Sequence, residues 1–218
     1  MRVYTEGIAD ISVLSGLHHL KSLQLYGNRI EDLSPISGLT ELEALDIDYN
    51  LVSDLMPIAG LTKLRRLGIA ENRITDLTPL AGLTALEELS FGYNAASDLT
   101  PLADLKSMRI LRFWGNGVSD IRPLAGLSNL TELYASDNDI RDTSPLAGLS
   151  SLVYLDLDEN DIENLDGLTG LTSLTTLTMW LSPEVLDISP LGGLAGLNEL
   201  NIYTGSGIQD IACRLLKT

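Results

Sequence analysis

The amino-acid sequence predicts an α/β solenoid, an arc of stacked repeats with a parallel β-sheet on the concave side and short helical (3-10) turns on the convex side. The first observation behind this prediction is a unit that restarts every 22 residues from Leu17 to Leu171. The second is an alternation of apolar and polar residues at the same place in each unit, as in Leu45-Asp46-Ile47. Self-similarity at a fixed period of about 20 to 50 residues is typical of a repeat architecture.

The repeats share the pattern LxxLxxLxLxxNxIxDLSPLAG, in which only the x positions vary freely. One residue is inserted in the unit that begins at Leu171, so the next unit begins at Leu194. We therefore expect one domain over residues 1–218, with a partial repeat at 1–16, eight whole repeats at 17–193 and a partial repeat at 194–218. The whole repeats begin at Leu17, Leu39, Leu61, Leu83, Leu105, Leu127, Leu149 and Leu171.

The alternating segment of each unit is expected to form a strand. In Leu155-Asp156-Leu157 the two apolar side chains point to one face and the aspartate points to the other, because side chains alternate along a strand. A single strand of this kind cannot bury its apolar face, whereas stacked neighbours bury a continuous core. With strands about 4.8 Å apart, about nine or ten of them would give a sheet roughly 40 to 45 Å long.

Two sets of polar residues recur next to core positions, and we expect both to be structural. An asparagine follows each strand, where its amide can satisfy backbone groups that would otherwise be buried without a partner. In the recurring Asp-Leu-Ser/Thr-Pro segment, for example Asp76-Leu77-Thr78-Pro79, the hydroxyl residue is expected to cap a helical turn and the proline to occupy its first position. The asparagines are Asn28, Asn50, Asn72, Asn94, Asn116, Asn138 and Asn160.

Composition excludes several classes of partner and site. Thirty acidic residues against 14 basic ones give a net charge of -16, which repels phosphate backbones, so we expect no nucleic-acid partner. No run of about 18 apolar residues is present, so no membrane insertion is expected, and the opening MRVYTEGIAD lacks the apolar core of a secretory signal. A single cysteine, Cys213, excludes an internal disulfide and a cysteine metal cluster.

The candidate binding residues are the side chains that project outward from the strands. Numbering each repeat from its first leucine, the outward positions are 6, 8 and 10, with position 11 at the strand exit. Phe91 and Phe113 instead take the inward position 9 as substitutes for a core leucine. Tyrosine and tryptophan carry a polar group suited to a half-wet contact surface, so their confinement to outward positions predicts a binding face. These residues are Tyr4, Tyr26, Tyr49, Tyr93, Trp114, Tyr134, Tyr154, Trp180 and Tyr203.

Small outward residues in the third and fourth whole repeats predict a shallow hollow on this face. Tyr26 and Trp114 would lie on either side of it, with Arg112 placed to contact a partner carboxylate. The small residues are Gly68, Ala70, Ser90 and Gly92. The predicted partner-binding residues are Tyr26, Asp46, Asp48, Tyr49, Tyr93, Arg112, Trp114, Tyr134, Tyr154, Asp156, Asp158, Trp180 and Tyr203.

Acidic residues are concentrated in two consecutive repeats toward the C-terminal half. Such a patch would attract a basic partner and hold it in register. Solvation of an otherwise apolar sheet is an alternative role, and calcium binding is another, although no calcium loop is recognisable. The residues are Glu132, Asp137, Asp139, Asp156, Asp158, Glu159 and Asp161.

No combination of residues points to an enzyme, a bound metal or a cofactor. His18 and His19 have no nucleophile or carboxylate partner at a motif spacing.

The segment from Trp180 to Val185 breaks the repeat by replacing the asparagine with Ser182, which predicts either a relaxed terminal repeat or a protruding loop.

The repeat pattern resembles that of leucine-rich repeat proteins of the 22-residue class, as found in bacterial internalins and in a phosphatase-regulating family. The resemblance implies a horseshoe or arc and a protein partner on the concave face. Resemblance to internalins implies bacterial surface adhesion, with an extracellular or cell-surface location if the chain is excised from a larger parent. Resemblance to the phosphatase-regulating family implies an intracellular regulatory subunit.

The leading hypothesis is therefore a non-enzymatic protein-recognition module, with the two families as alternative settings. A structural or engineered repeat scaffold without a natural ligand is a third hypothesis. We expect the chain to act as a monomer toward a protein partner, with a basic protein as one alternative, and to need no cofactor.

Overall fold

The computed structural model describes residues 7–185 and 187–204. Within these residues the strands form one nine-stranded parallel sheet in sequential order, β1 to β9. The strands are β1 Ser22–Gln24, β2 Ala44–Asp46, β3 Arg66–Gly68, β4 Glu88–Ser90, β5 Ile110–Arg112, β6 Glu132–Tyr134, β7 Tyr154–Ile162, β8 Thr176–Leu181 and β9 Glu199–Thr204. The predicted parallel solenoid is confirmed.

Short 3-10 turns alternate with the strands and form the other side of each repeat. They comprise Ser12–Leu14, Ser34–Ile36, Met56–Ile58, Thr78–Leu80, Thr100–Leu102, Arg122–Gly126, Ser144–Leu146, Asp166–Leu168 and Ser189–Gly193. The buried apolar side chains of the strands and the turns belong to one contiguous core.

The strands pair so that equivalent positions of successive repeats are neighbours. Leu23 pairs with Leu45 and Leu45 pairs with Leu67, which stacks the inward leucines in a continuous row. These leucines are at most 2% exposed and belong to one contiguous apolar core. The 22-residue period therefore sets the register, since a slip by one residue would turn the leucines to solvent.

The asparagine series forms a hydrogen-bonded ladder along the strand exits. Asn116 Nδ2 donates to the carbonyls of Phe113 (3.1 Å), Phe91 (3.1 Å) and Trp114 (3.2 Å). Its Oδ1 accepts a hydrogen bond from the Ala96 N–H at 3.1 Å. One side chain thus serves backbone groups of two repeats, and the predicted structural role of these asparagines is confirmed.

The start of the 3-10 turns differs from the prediction. The hydroxyl residue does not cap the turn, because the residue before it, Leu33 in the second turn, occupies the cap position. Asp32 Oδ1 instead accepts the N–H of Ser34 at 2.7 Å, and Pro35 is the second residue of the turn. Hydrogen bonds from the Ser34 hydroxyl and N–H lower the pKa of Asp32, so the aspartate is the group that fixes the turn.

The last described repeats depart from the regular pattern. Strand β7 is nine residues long, and its pairing with β8 shifts register between Leu157 and Ile162. Ser182, which replaces the asparagine, is buried and donates its N–H to the Ile162 carbonyl at 3.0 Å. Pro183 and Glu184 then form an exposed turn. Tyr4, Cys213 and the segment 205–218 lie outside the described residues.

Candidate functional site

The outward aromatic side chains of the described repeats meet in four pairs. Each pair joins neighbouring repeats, as in the stacked rings of Tyr134 and Tyr154, whose centroids are 4.5 Å apart. The other pairs are Tyr26 with Tyr49 at 5.0 Å, Tyr93 with Trp114 at 6.5 Å and Trp180 with Tyr203 at 6.3 Å. Aromatic pairs at such distances add to the rigidity of a contact surface because their relative orientation is restrained.

Exposure separates these aromatics from the phenylalanines. Tyr49 and Tyr93 are 49% and 50% exposed, whereas Phe91 and Phe113 are 0% exposed and stack on each other at 5.7 Å. Trp114 is half-buried. The predicted division between inward phenylalanines and outward tyrosines and tryptophans is confirmed.

The space expected above the small residues at position 10 is occupied by neighbouring side chains. The Trp114 indole lies against Gly92 so closely that a Cβ at Gly92 would overlap it. Asp48 covers Gly68, where a Cβ would lie 2.9 Å from its Oδ1, and Ala70 is only 4% exposed. The predicted hollow is therefore wrong at Ala70 and Gly92.

A hollow of about 220 Å³ does lie on this face, closer to the beginning of the strands. We call it the central hollow. Its small lining residues are Ser22, Ala44, Gly68 and Ser90, at positions 6 and 8. Its charged lining residues are Asp46, Asp48, Arg66, Glu88 and Arg112. Gly68 and Ser90 belong to the predicted hollow, whereas Arg66 and Glu88 were missed, although their outward position 6 was the signal that could have identified them.

Arg112 is held in place by two neighbours on β6. Its Nη2 lies 3.6 Å from Glu132 Oε2, and its guanidinium lies over the Tyr134 ring, 4.8 Å from the centroid. The Tyr134 hydroxyl donates to the same Glu132 carboxylate at 3.0 Å. Because these contacts restrain both side chains, Arg112 and Tyr134 form a preorganised part of the face, and Arg112 also lines the central hollow.

Comparison with known proteins decides the family. The family profile described as Leucine Rich repeats (2 copies) matches residues 18–60, 62–104 and 128–170. Internalin C2 from Listeria monocytogenes is 34% identical, and its crystal structure superimposes with a TM-score of 0.77 over 92% of this chain and 79% of that chain. The chain belongs to the leucine-rich repeat family and is internalin-like.

Two further structures extend the comparison for the internalin-like chain. The internalin inlF from Listeria monocytogenes is 30% identical, with a TM-score of 0.72 over 93% of this chain and 74% of that chain. The ectodomain of the receptor kinase GASSHO1/SCHENGEN3 from Arabidopsis thaliana, in complex with CASPARIAN STRIP INTEGRITY FACTOR 2, shares the fold at 20% identity. Its TM-score is 0.76 over 91% of this chain and 26% of that chain. No curated protein sequence matches the chain.

Leucine-rich repeat proteins are typically protein–protein interaction modules, and they are generally non-enzymatic. Residues 7–185 and 187–204 of the internalin-like chain contain no group of three histidine, cysteine, aspartate or glutamate side chains placed to hold a metal ion. Over the same part of the chain, no helical segment combines the length and the apolar character that crossing a bilayer requires.

Several carboxylates on the outward face of the internalin-like chain are partly desolvated. Burial raises the pKa of Asp48 to about 6, with repulsion from Asp46 and Glu71 adding to the increase and the Ala70 N–H opposing it. Burial likewise raises the pKa of Asp46 and of Asp156. Asp158 Oδ1 is buried and has no hydrogen-bond partner among the described residues. Within the same part of the chain, no lysine, arginine or histidine forms an ion pair with these four aspartates, so the loss of water on burial is not offset by an opposite charge.

The Asp48→Asn variant is expected to be more stable than the parent chain by about 1 to 2 kcal/mol at pH 7.5. The folded-state pKa of Asp48, about 6, lies above the ordinary value of 3.8, so the native chain binds the proton more tightly than the unfolded chain. The stabilisation that the folded chain gains from this tighter proton binding is fully present below pH 3.8 and is lost as the pH rises through about 6. Asparagine does not titrate and keeps an oxygen for the Ala70 N–H, so the difference should nearly vanish at pH 4. Urea unfolding at pH 7.5 and at pH 4 measures the difference in unfolding free energy between the variant and the parent chain.

The matched control for this prediction is Asp32→Asn. Hydrogen bonds from Ser34 lower the pKa of Asp32, so its carboxylate stabilises the folded state above pH 3.8. Asp32→Asn should therefore lower the free energy of unfolding at pH 7.5, whereas Asp48→Asn should raise it. A loss of stability in Asp48→Asn at pH 7.5 would contradict the desolvation of Asp48.

Proposed function

We propose that the chain is a non-enzymatic protein-recognition module whose partner binds the concave sheet face. The observation that carries this proposal is the pairing of the outward aromatics into four partly exposed contacts on one face, while both phenylalanines are buried. Tyrosine and tryptophan are enriched in protein interfaces because they supply large contact area at a small entropic cost. Their presence on a rigid sheet supports a preformed binding surface.

The centre of the proposed interface is the cluster of Trp114, Arg112 and Tyr134. Trp114 contacts Gly92 and Tyr93, and Arg112 lies over Tyr134, so the three side chains are already ordered before a partner arrives. Tryptophan, tyrosine and arginine are the residues that most often dominate binding energy at the centre of interfaces. Preorganisation favours this role because little side-chain entropy remains to be lost on binding.

The charge of the face favours a basic partner. Among the described outward positions 6, 8, 10 and 11, ten acidic residues stand against two basic residues, Arg66 and Arg112. This excess attracts a basic partner surface and repels an acidic one. The acidic residues are Asp46, Asp48, Glu71, Glu88, Glu132, Asp137, Asp156, Asp158, Glu159 and Glu199.

The experiment that tests the proposal is affinity capture with the intact chain and with a Trp114→Ala, Tyr134→Ala double variant. A partner captured by the parent chain is expected to bind the double variant at least about tenfold more weakly, because both side chains lie at the centre of the interface. The control is Met56→Ala, which removes an apolar side chain that is 63% exposed on a 3-10 turn, away from the sheet. Circular dichroism verifies that each variant is folded.

Equal retention of the partner by the double variant would reject the aromatic face as the binding site. The likeness to internalins supports bacterial surface adhesion as the setting, and a host-surface partner would agree with it. Capture of a phosphatase would instead favour the intracellular regulatory role. A chain that captures nothing specific would support a scaffold without a natural ligand, and binding lost only on chelation would point to a metal at the acidic residues.

A further inference from the structure

The central hollow has opposite charges at its two ends. Asp46 on β2 and Asp48 just after it lie toward one end, which uncharged residues of β1 complete, and Arg112 on β5 lies at the other end. Between them, Arg66 and Glu88 are register partners on β3 and β4, so their charges largely offset each other. The hollow is therefore polarised along the direction in which the strands stack.

The acidic end has no positive partner in residues 7–185 and 187–204. No lysine, arginine or histidine nitrogen of this part lies within 4.0 Å of Asp46 or Asp48. Their hydrogen bonds come from backbone groups, with Asp46 Oδ1 accepting the Asp48 N–H at 3.2 Å and Asp48 Oδ1 accepting the Ala70 N–H at 2.7 Å. A cation placed there would relieve the cost of burying both carboxylates.

The distance between the two ends fits an extended peptide. Three strand spacings separate β2 from β5, which is about 14 Å. An extended chain rises about 3.3 Å per residue, so about four residues cover this distance. An even separation also places both side chains on the same side of the extended chain, facing the hollow.

We propose that the central hollow binds an extended segment of the partner protein that crosses the strands, with a lysine or arginine over Asp46 and Asp48 and an acidic residue four positions away against Arg112. The two ends do not fix the chain direction, so either order of the basic and acidic residue satisfies them. This inference rests on the proposed function and specifies the partner chemistry at one place on the same face.

Acidification provides a second readout of the same contact. The titratable groups that interact with Asp48 are Asp46 at the end of β2, the adjacent Tyr49, and Glu71 after β3. Arg66 and Glu88 line the same hollow. Protonation of Asp48 removes one of the two charges that hold the basic side chain. Binding should therefore weaken as the pH falls from 7.5 to 5.

The test uses the intact chain and capped nonapeptides in which threonine fills all positions except two. The first peptide carries lysine and glutamate four positions apart, the second carries them three positions apart, and the third carries glutamate at both places. Titration is followed by NMR at the backbone amides of Gly68 and Ser90. The first peptide is expected to shift both signals saturably and to bind at least about fivefold more tightly than the other two.

Two variants separate the hollow from the general charge of the chain. Asp48→Asn keeps an acceptor for the Ala70 N–H and is expected to weaken binding of the first peptide about fivefold. Asp104→Asn is the charge-matched control, because Asp104 follows the 3-10 turn Thr100–Leu102, outside the hollow, and its side chain is 92% exposed. Binding of the first peptide to Asp104→Asn should be nearly unchanged.

The inference is overturned if the first peptide produces no saturable shift, if all three peptides bind alike, or if Asp48→Asn binds as the parent chain does. Such a failure leaves the proposed function intact when the Trp114→Ala, Tyr134→Ala variant still loses a captured partner. Selective peptide binding with full partner retention by that double variant would instead uphold the hollow and reject the aromatic centre.

Discussion

Replacing Asn116 with alanine is expected to lower the free energy of unfolding by about 3 to 5 kcal/mol. The Asn116 amide donates to the Phe91, Phe113 and Trp114 carbonyls, and its oxygen accepts the Ala96 N–H. Alanine would leave these backbone groups without their partner in a site where the asparagine is only 6% exposed. Urea unfolding followed by circular dichroism measures the loss.

The control for this variant is Asn129→Ala. Asn129 also donates to a carbonyl, that of Lys106 at 2.9 Å, but it is exposed, so water can replace the lost hydrogen bond. We expect a change within about 0.5 kcal/mol for this substitution. Similar losses in the two variants would show that the ladder is not what stabilises the strand exits.

The Phe113→Ala variant is expected to lose about 3 to 5 kcal/mol of unfolding free energy. Phe113 is 0% exposed and stacks on Phe91, so alanine would leave a cavity between two repeats that neighbouring leucines cannot fill without moving. Equilibrium unfolding in urea measures this loss as well, and the variant should also show increased amide exchange on β4 and β5.

Phe113→Leu is the conservative counterpart, because leucine takes the same inward repeat position at Leu25 and Leu157, and it should cost less than about 1.5 kcal/mol. Trp114→Ala should cost less than Phe113→Ala, because Trp114 is only half-buried. A larger loss for Trp114→Ala would mean that the tryptophan is chiefly a core residue, which would weaken the proposal that it contacts a partner.

The same contrast shows why the outward face of the sheet could be predicted in outline. Residues 113 and 114 are neighbours in the chain, yet alternation along a strand sends them to opposite faces, and the repeat identifies which face is the core. The aromatic positions follow from this rule alone. The pairing of the aromatic rings does not follow from alternation, because it depends on the directions of side chains in two neighbouring repeats.

The hollow and the turns show what the repeat pattern could not predict. Asp48 leans toward the next repeat to cover Gly68, whereas Trp114 leans toward the preceding repeat to cover Gly92. The repeat pattern treats all repeats alike, so it cannot predict that these two side chains point in opposite directions along the stack of repeats. At the turns, Asp32 accepts the N–H of Ser34. The prediction that the serine itself caps the turn did not include this contact.

The sequence by itself determined the solenoid, the register of its strands, the inward and outward faces and the role of the asparagines. These features depend on the 22-residue period and on the two-residue alternation of strands, which local geometry enforces. The tertiary structure decided where the central hollow lies, that Arg112 is held by Glu132 and Tyr134, and that Asp48 is desolvated. The physical reason is that long side chains fill space above neighbouring strands, and which space they fill depends on packing between repeats rather than on position within one.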